Sequence, residues 1–115
     1  MGARKLILII GGRRWTLLAR QRVVVDGDEC WGATERRHRI IEIEKRPQTD
    51  AAVIFETLLH EIMHAAFHEV RQKNGRATEE SVCETASIAI RRNFAKIERF
   101  LMPLDKIKKG GKIKT

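Results

Sequence analysis

The stretch Thr57-Leu58-Leu59-His60-Glu61-Ile62-Met63-His64-Ala65-Ala66 holds His-Glu-x-x-His in a run free of Gly and Pro, which predicts a helix. On a helix, His60 and His64 share a face about 6 Å apart along the axis. Two imidazoles at that spacing can bind one Zn²⁺ at about 2.0–2.1 Å each. Glu61 lies one residue round, within reach of a water on such a metal but turned away from direct ligation. Phe55, Leu58, Ile62, Ala65 and Ala66 supply an apolar opposite side, so the helix is expected to lie with its back buried. Asp50 reads as its N-cap, and Asn74-Gly75 as its stop just beyond Gln72.

Before this helix the chain reads as strands. Arg4 to Ile10 is aliphatic, Gly11-Gly12 offers a turn, and Trp15, Leu17 and Ala19 alternate over Arg14 to Arg20, which suggests a hairpin. Val23-Val24-Val25 ends at the turn signal Asp26-Gly27-Asp28. Trp31-Gly32-Ala33-Thr34 reads as a tight turn into a half-buried strand over residues 39–44, with Ile41 and Ile43 inward and Pro47 beyond its end. After the motif helix, Thr78 caps a second helix, with Glu79 and Glu80 in its first turn. Cys83, Ala86, Ile90, Phe94, Ile97 and Leu101 recur at helical spacing as one core stripe, closed by Pro103. Strands followed by two helices predict an α+β fold, a sheet of about three strands beside the metal helix. Residues 1–103 form one domain, and 104–115 a loose tail rich in Lys and Gly.

A catalytic zinc usually has three protein ligands and one open position. His68 continues the line of His60 and His64 but lies about 12 Å along the axis from His60, too far to share a metal. His38, just before a strand, is a candidate without further support. Glu80 and Glu84, four apart on the second helix, face one way and are better placed, because the short connection makes the two helices neighbours. Glu80 lies nearer the apolar stripe and is expected to be the ligand. Glu84 is expected further out, accepting the outer ring N–H of a ligating histidine.

His60-Glu61-x-x-His64, with Glu80 sixteen residues after the second histidine, resembles the gluzincin group of zinc metallopeptidases. The likeness extends to its very small members and to the ImmA/IrrE-type peptidases of phages and mobile elements. In that group the glutamate helix reads Glu-x-x-small-Asn/Asp, against Glu80-Ser81-Val82-Cys83-Glu84 here, so Glu84 departs from the pattern. Thr34 and the Ile-rich strand add to the likeness, which covers roughly residues 30–95. The resemblance implies a zincin-like domain and a zinc peptidase in which His60, His64 and Glu80 hold the metal. Glu61 would take a proton from water and later deliver it to the leaving amine. It also implies that an extended peptide or protein substrate lies along the sheet edge above the metal helix.

The formal net charge is +8, from 23 Lys and Arg against 15 Asp and Glu. Aromatics are 5% and Tyr is absent, which argues against a stacking platform for single-stranded nucleic acid. Salt-dependent nucleic-acid contact is expected only as a secondary property, and a DNA-associated metallopeptidase is one rival reading. A catalytically weak, zinc-containing binding module is another. A third is a latent enzyme whose basic tail fills the cleft. No apolar run is long enough to span a membrane, and Leu6–Ile10 is too short for a secretory h-region. Cys30 and Cys83 match no metal spacing and read as free thiols, so a cytoplasmic location is expected.

Overall fold

The computed structural model describes residues 4–102; Pro103 and the tail expected over 104–115 lie outside them. The chain is α+β, as its element order predicts. Strands β1 (Arg4–Ile10) and β2 (Arg13–Arg20) form an antiparallel hairpin about Gly11 and Gly12, both at positive φ. That conformation suits the right-handed twist of a two-residue hairpin. β3 (Val23–Val25) and β4 (Asp28–Cys30) form a separate two-stranded ribbon about Asp26 and Gly27, again at positive φ. β5 (Gly32–Glu35) and β6 (Ile40–Glu44) complete a four-stranded sheet in the order β1-β2-β6-β5. The β2–β6 pair is parallel and the others antiparallel, so the sheet is mixed and β5 is an edge strand. The sheet has one strand more than the sequence suggests.

Residues 31–34 are not a tight turn. Gly32 to Glu35 pair with Ile43 to Ile40, and the reversal falls at 36–39. The turn closes through Arg39 N–H to Arg36 C=O at 3.3 Å, with Arg39 left-handed at φ 56°. A non-glycine residue in that region is strained and persists only where its surroundings fix it.

Helix α1 (Ala51–Asn74) begins at Asp50, whose side chain accepts from Ala52 N, and ends at Gly75 in the left-handed conformation. Its buried side is Ile54, Leu58, Ile62, Ala65, Ala66 and Val70, set against Leu8, Ile10, Trp15, Leu17, Ile41 and Ile43 of the sheet. Phe55 departs from its expected place: it lies on the rim of the stripe and is 36% exposed. A buried carboxylate, that of Glu69, sits among these apolar residues. Glu69 accepts from Trp15 Nε1 at 2.9 Å and from Arg39 Nε at 2.5 Å and Nη2 at 3.3 Å. This pairing holds the Arg39 guanidinium above its ordinary pKa. It also ties α1 to both β2 and the left-handed residue before β6.

The second helical run is not continuous. α2 (Glu79–Arg92) starts at a capping box between Thr78 and Ser81, and the chain breaks at Asn93 before α3 (Phe94–Leu101). Asn93 is buried, and its side chain replaces the missing ladder partner of edge strand β1. Oδ1 accepts from Ile9 N at 3.1 Å, while Nδ2 donates to Ile9 O at 2.9 Å and Ala89 O at 2.7 Å. On α2 the buried residues are Val82, Ala86 and Ala89, and past the break Ile97 and Phe100 on α3, whereas Cys83 and Phe94, expected in the stripe, are exposed. Lys45 donates from Nζ to the carbonyls of Phe100 and Met102, holding the end of α3 to the chain beyond β6. Among the described residues no helix is long and apolar enough to cross a membrane.

Removing Glu69 strands two donors, one of them charged, in a site where the carboxylate is 5% exposed. Breaking such a pair from one side costs several kcal/mol. Glu69→Ala is expected to lower unfolding stability by about 3 kcal/mol, measured by urea titration.

Candidate metal centre

Taking about 100° and 1.5 Å per residue, the burial of Leu58, Ala65 and Ile62 fixes which way α1 faces. Thr57, His68 and Glu61 then lie on the flank toward β5, and His64 and His60 follow next, facing solvent. Gly32 sets the contact on that flank. A Cβ placed there would come 2.7 Å from Thr57 Cγ2, 3.1 Å from Glu42 O and 3.2 Å from Glu61 Cγ, so only glycine lets β5 approach α1 this closely.

The two histidines already converge. Their Nε2 atoms are 3.2 Å apart and their rings are edge-to-face, with centroids at 4.8 Å. Two nitrogens bound at about 2.0–2.1 Å to a tetrahedral zinc stand about 3.3–3.4 Å from each other, close to the separation of this pair. The same spacing serves an N–H···N hydrogen bond when the two rings carry complementary tautomers.

Glu61 is buried, 6% exposed, beside this pair. Thr34 Oγ1 donates to its Oε1 at 2.5 Å and lies 3.3 Å from its backbone carbonyl. Among the described residues Oε2 has no hydrogen-bond partner, so one carboxylate oxygen is held and the other is left available. The sequence places Thr34 in a supposed turn and counts it toward the family likeness, but assigns its side chain no role. Its role becomes visible once Gly32 to Glu35 are a strand, because the period of two turns Gly32 and Thr34 to the same face.

The other expected ligands are not gathered here. Among the described residues no group of three or more His, Cys, Asp or Glu is close enough to hold a metal ion. Glu80 and Glu84 are exposed on α2. Glu84 lines a cavity of about 170 Å³ with Glu69, Val70, Lys73 and Gly11, roughly 7–14 Å along α1 from His64. Val70 and Lys73 mark the α2 flank of α1, about 130° round from the histidine pair, whereas the β5 flank is about 60° away. His68 is half-buried, its ring edge-to-face with Trp15 at 6.1 Å, and is occupied as a core-edge residue.

His38 stands on the 36–39 turn. Its Nδ1 lies 2.9 Å from Glu35 Oε1, and the same oxygen accepts its backbone N–H at 2.8 Å. Glu35 Oε2 accepts from Arg37 N at 3.2 Å. These contacts, the His38 backbone N–H foremost, hold the Glu35 carboxyl below its ordinary pKa.

No family model matches the sequence, and no curated protein or solved structure matches it.

Gly32→Ala is expected to force β5 away from α1 and to destabilise the fold by about 1–3 kcal/mol, the usual cost of overpacking. Thr57→Ser in the same chain removes the closest clash and is expected to restore part of that loss. Thermal unfolding of the single and double variants measures both.

Proposed function

We propose that the chain is a zinc-dependent peptidase, with the metal held by His60 and His64 and Glu61 as the general base. The observation that carries this reading is the convergence of the two Nε2 atoms beside a buried glutamate with one carboxylate oxygen held and one available. The His-Glu-x-x-His sequence alone would be satisfied by a solvated helix face. Here the two histidines face out and the glutamate between them is sequestered, the division of labour that metal-assisted hydrolysis requires. A bound zinc supplies a Lewis acid that polarises the scissile carbonyl and makes water acidic enough to lose a proton near neutral pH.

The chain's own residues do the rest. Glu61 takes the proton of the attacking water at Oε2, because Oε1 is engaged by the Thr34 hydroxyl. Thr34 fixes the plane of the carboxylate, so Glu61 does not have to be oriented during the reaction. Protonated Glu61 then returns the proton to the amine that leaves. β5 offers the substrate a place: it is the edge strand on the flank nearest the histidines, and an extended peptide can add to such an edge through main-chain hydrogen bonds. Beside His60 and His64 on the open face of α1 stand Met63 and Phe67, 38% and 41% exposed, which favours substrates with an apolar side chain near the scissile bond.

Glu61→Gln is expected to keep the fold and the zinc while removing peptide hydrolysis; a variant that cleaves as well as wild type overturns the assignment of the base. Thr34→Val, which leaves Glu61 without its partner, is expected to lower kcat about tenfold, the worth of one hydrogen bond to a charged group. Thr34→Ser is expected to retain most of the activity. Steady-state kinetics on a quenched fluorescent peptide library measures all three.

A further inference from the structure

We propose that the cavity beside the Gly11-Gly12 turn, between α1 and α2, binds a phosphate group carried by a small molecule. Its Lys73 lies about 13–14 Å along α1 beyond His64, so the site stands apart from the histidine pair and does not depend on the zinc reading.

The cavity is about 220 Å³, and its lining includes Gly11, Gly12, Lys73, Thr85 and Arg92, with Ile88 and Ala89 on the apolar side. Lys73 and Arg92 stand in the last turns of α1 and α2, where a cation suits the helix dipole. That accounts for each charge alone, but not for two charges from different helices opening onto one cavity. Among the described residues neither side chain has an ion-pair or hydrogen-bond partner, and no carboxylate lines the cavity. Glu69 and Glu84 lie in the adjoining cavity. Glu69 is already held by Trp15 and Arg39, and Glu84 is exposed to solvent, which screens it.

The turn adds donors of its own. Gly11 and Gly12 are both left-handed, at φ 59° and 80°, and the pair flanking them is Ile10 with Arg13. Their amides therefore lie outside the ladder, and among the described residues neither donates to a backbone carbonyl. Successive free amides in a turn are a recurrent anion-binding arrangement. Packing fixes where they stand. A Cβ on Gly11 would come 2.8 Å from Glu69 Cβ and 3.6 Å from Thr85 Cγ2, so the turn is seated between the two helices. A Cβ on Gly12 would meet nothing within 4 Å, so the backbone there is open to a ligand. Two cations, a hydroxyl and free amides match a phosphate group, with its charge and three acceptor oxygens. The volume falls below the roughly 300–1,000 Å³ of drug-sized sites, which limits the ligand to a small phosphomonoester or the phosphate ion. Ile88, 43% exposed, favours a monoester with a small apolar group.

The experiment is titration of the full chain with phenyl phosphate, inorganic phosphate and a short single-stranded DNA, followed through the amide NMR signals of Gly11 and Gly12. Circular dichroism checks the fold of every variant, and ionic strength is held constant. Phenyl phosphate is expected to shift both glycine signals saturably. Lys73→Met and Arg92→Met are each expected to weaken its binding about tenfold or more, the scale of a charge-assisted contact. Thr85→Val, which keeps the shape and removes the hydroxyl, is expected to weaken it about tenfold. Arg36→Met removes the same charge at the β5–β6 turn and is expected to stay within about twofold of wild type. Inorganic phosphate is expected to move the same signals at lower affinity; equal affinity keeps the site and makes the free anion its ligand. Unmoved glycine signals overturn the proposal, as does a loss in Arg36→Met equal to that in Lys73→Met. Shifts with DNA but with neither phosphate compound also overturn it and make this face a nucleic-acid surface.

Discussion

Glu69 is a carboxylate buried in the apolar contact between α1 and the sheet, and such a group is tolerated only when its partners are in place. Its partners come from two different strands, Trp15 on β2 and Arg39 before β6. Apolar burial alone would allow α1 some freedom to roll and slide over the aliphatic face of the sheet. The carboxylate removes that freedom, because only one rotation and one level of the helix satisfy both donors. A slip of one residue would turn α1 by about 100° and carry His60 and His64 off the open face. The positions of the motif side chains therefore depend on a polar contact more than one turn away from them.

The β5–β6 hairpin is fixed by the same contact from the other side. Arg39 occupies the left-handed region that a glycine would usually fill, and the Glu69 pair compensates for the strain. On the near side, Gly32 lets β5 close onto α1 until Thr34 reaches the Glu61 carboxylate. A glycine where contact is tight and an arginine where the backbone is strained together set the hairpin beside the helix face that carries the histidines. Electrostatics act locally here. The chain as a whole is strongly basic, yet the Glu61 carboxylate stands next to the pair, which lowers the cost of bringing a cation there.

The opposite edge of the sheet is treated differently. β1 is closed by the side chain of Asn93, which donates to and accepts from the backbone of Ile9 and so stands in for a neighbouring strand. That interaction interrupts the second helical run and turns α3 back toward Lys45. With β1 capped in this way, β5 is the sheet's other edge.

Much of this is legible in the sequence, because it depends on local physics. Hydrophobic periodicity marks α1 and its buried back. Asp50, Gly75 and Thr78 mark the helix ends through their capping chemistry, and Gly11-Gly12 and Asp26-Gly27 mark the hairpins. The i, i+4 spacing makes His60 and His64 neighbours wherever the helix forms. Other features depend on contacts between distant residues, which no local pattern encodes. Gly32 to Glu35 look like a turn until β6 supplies their ladder, and Phe94 continues one apolar stripe until the helix breaks at Asn93, whose side chain binds Ile9. Glu80 and Glu84 share a face by their spacing, but where that face lies against α1 is set by packing, which leaves both exposed and puts Glu84 beside Glu69 and Lys73. The sequence thus determined the motif, the helix that carries it and the class of fold. The tertiary structure alone decided which flank of that helix faces which strand, because that choice was made by Glu69, Trp15 and Arg39, residues far apart in the chain that meet only in the folded core.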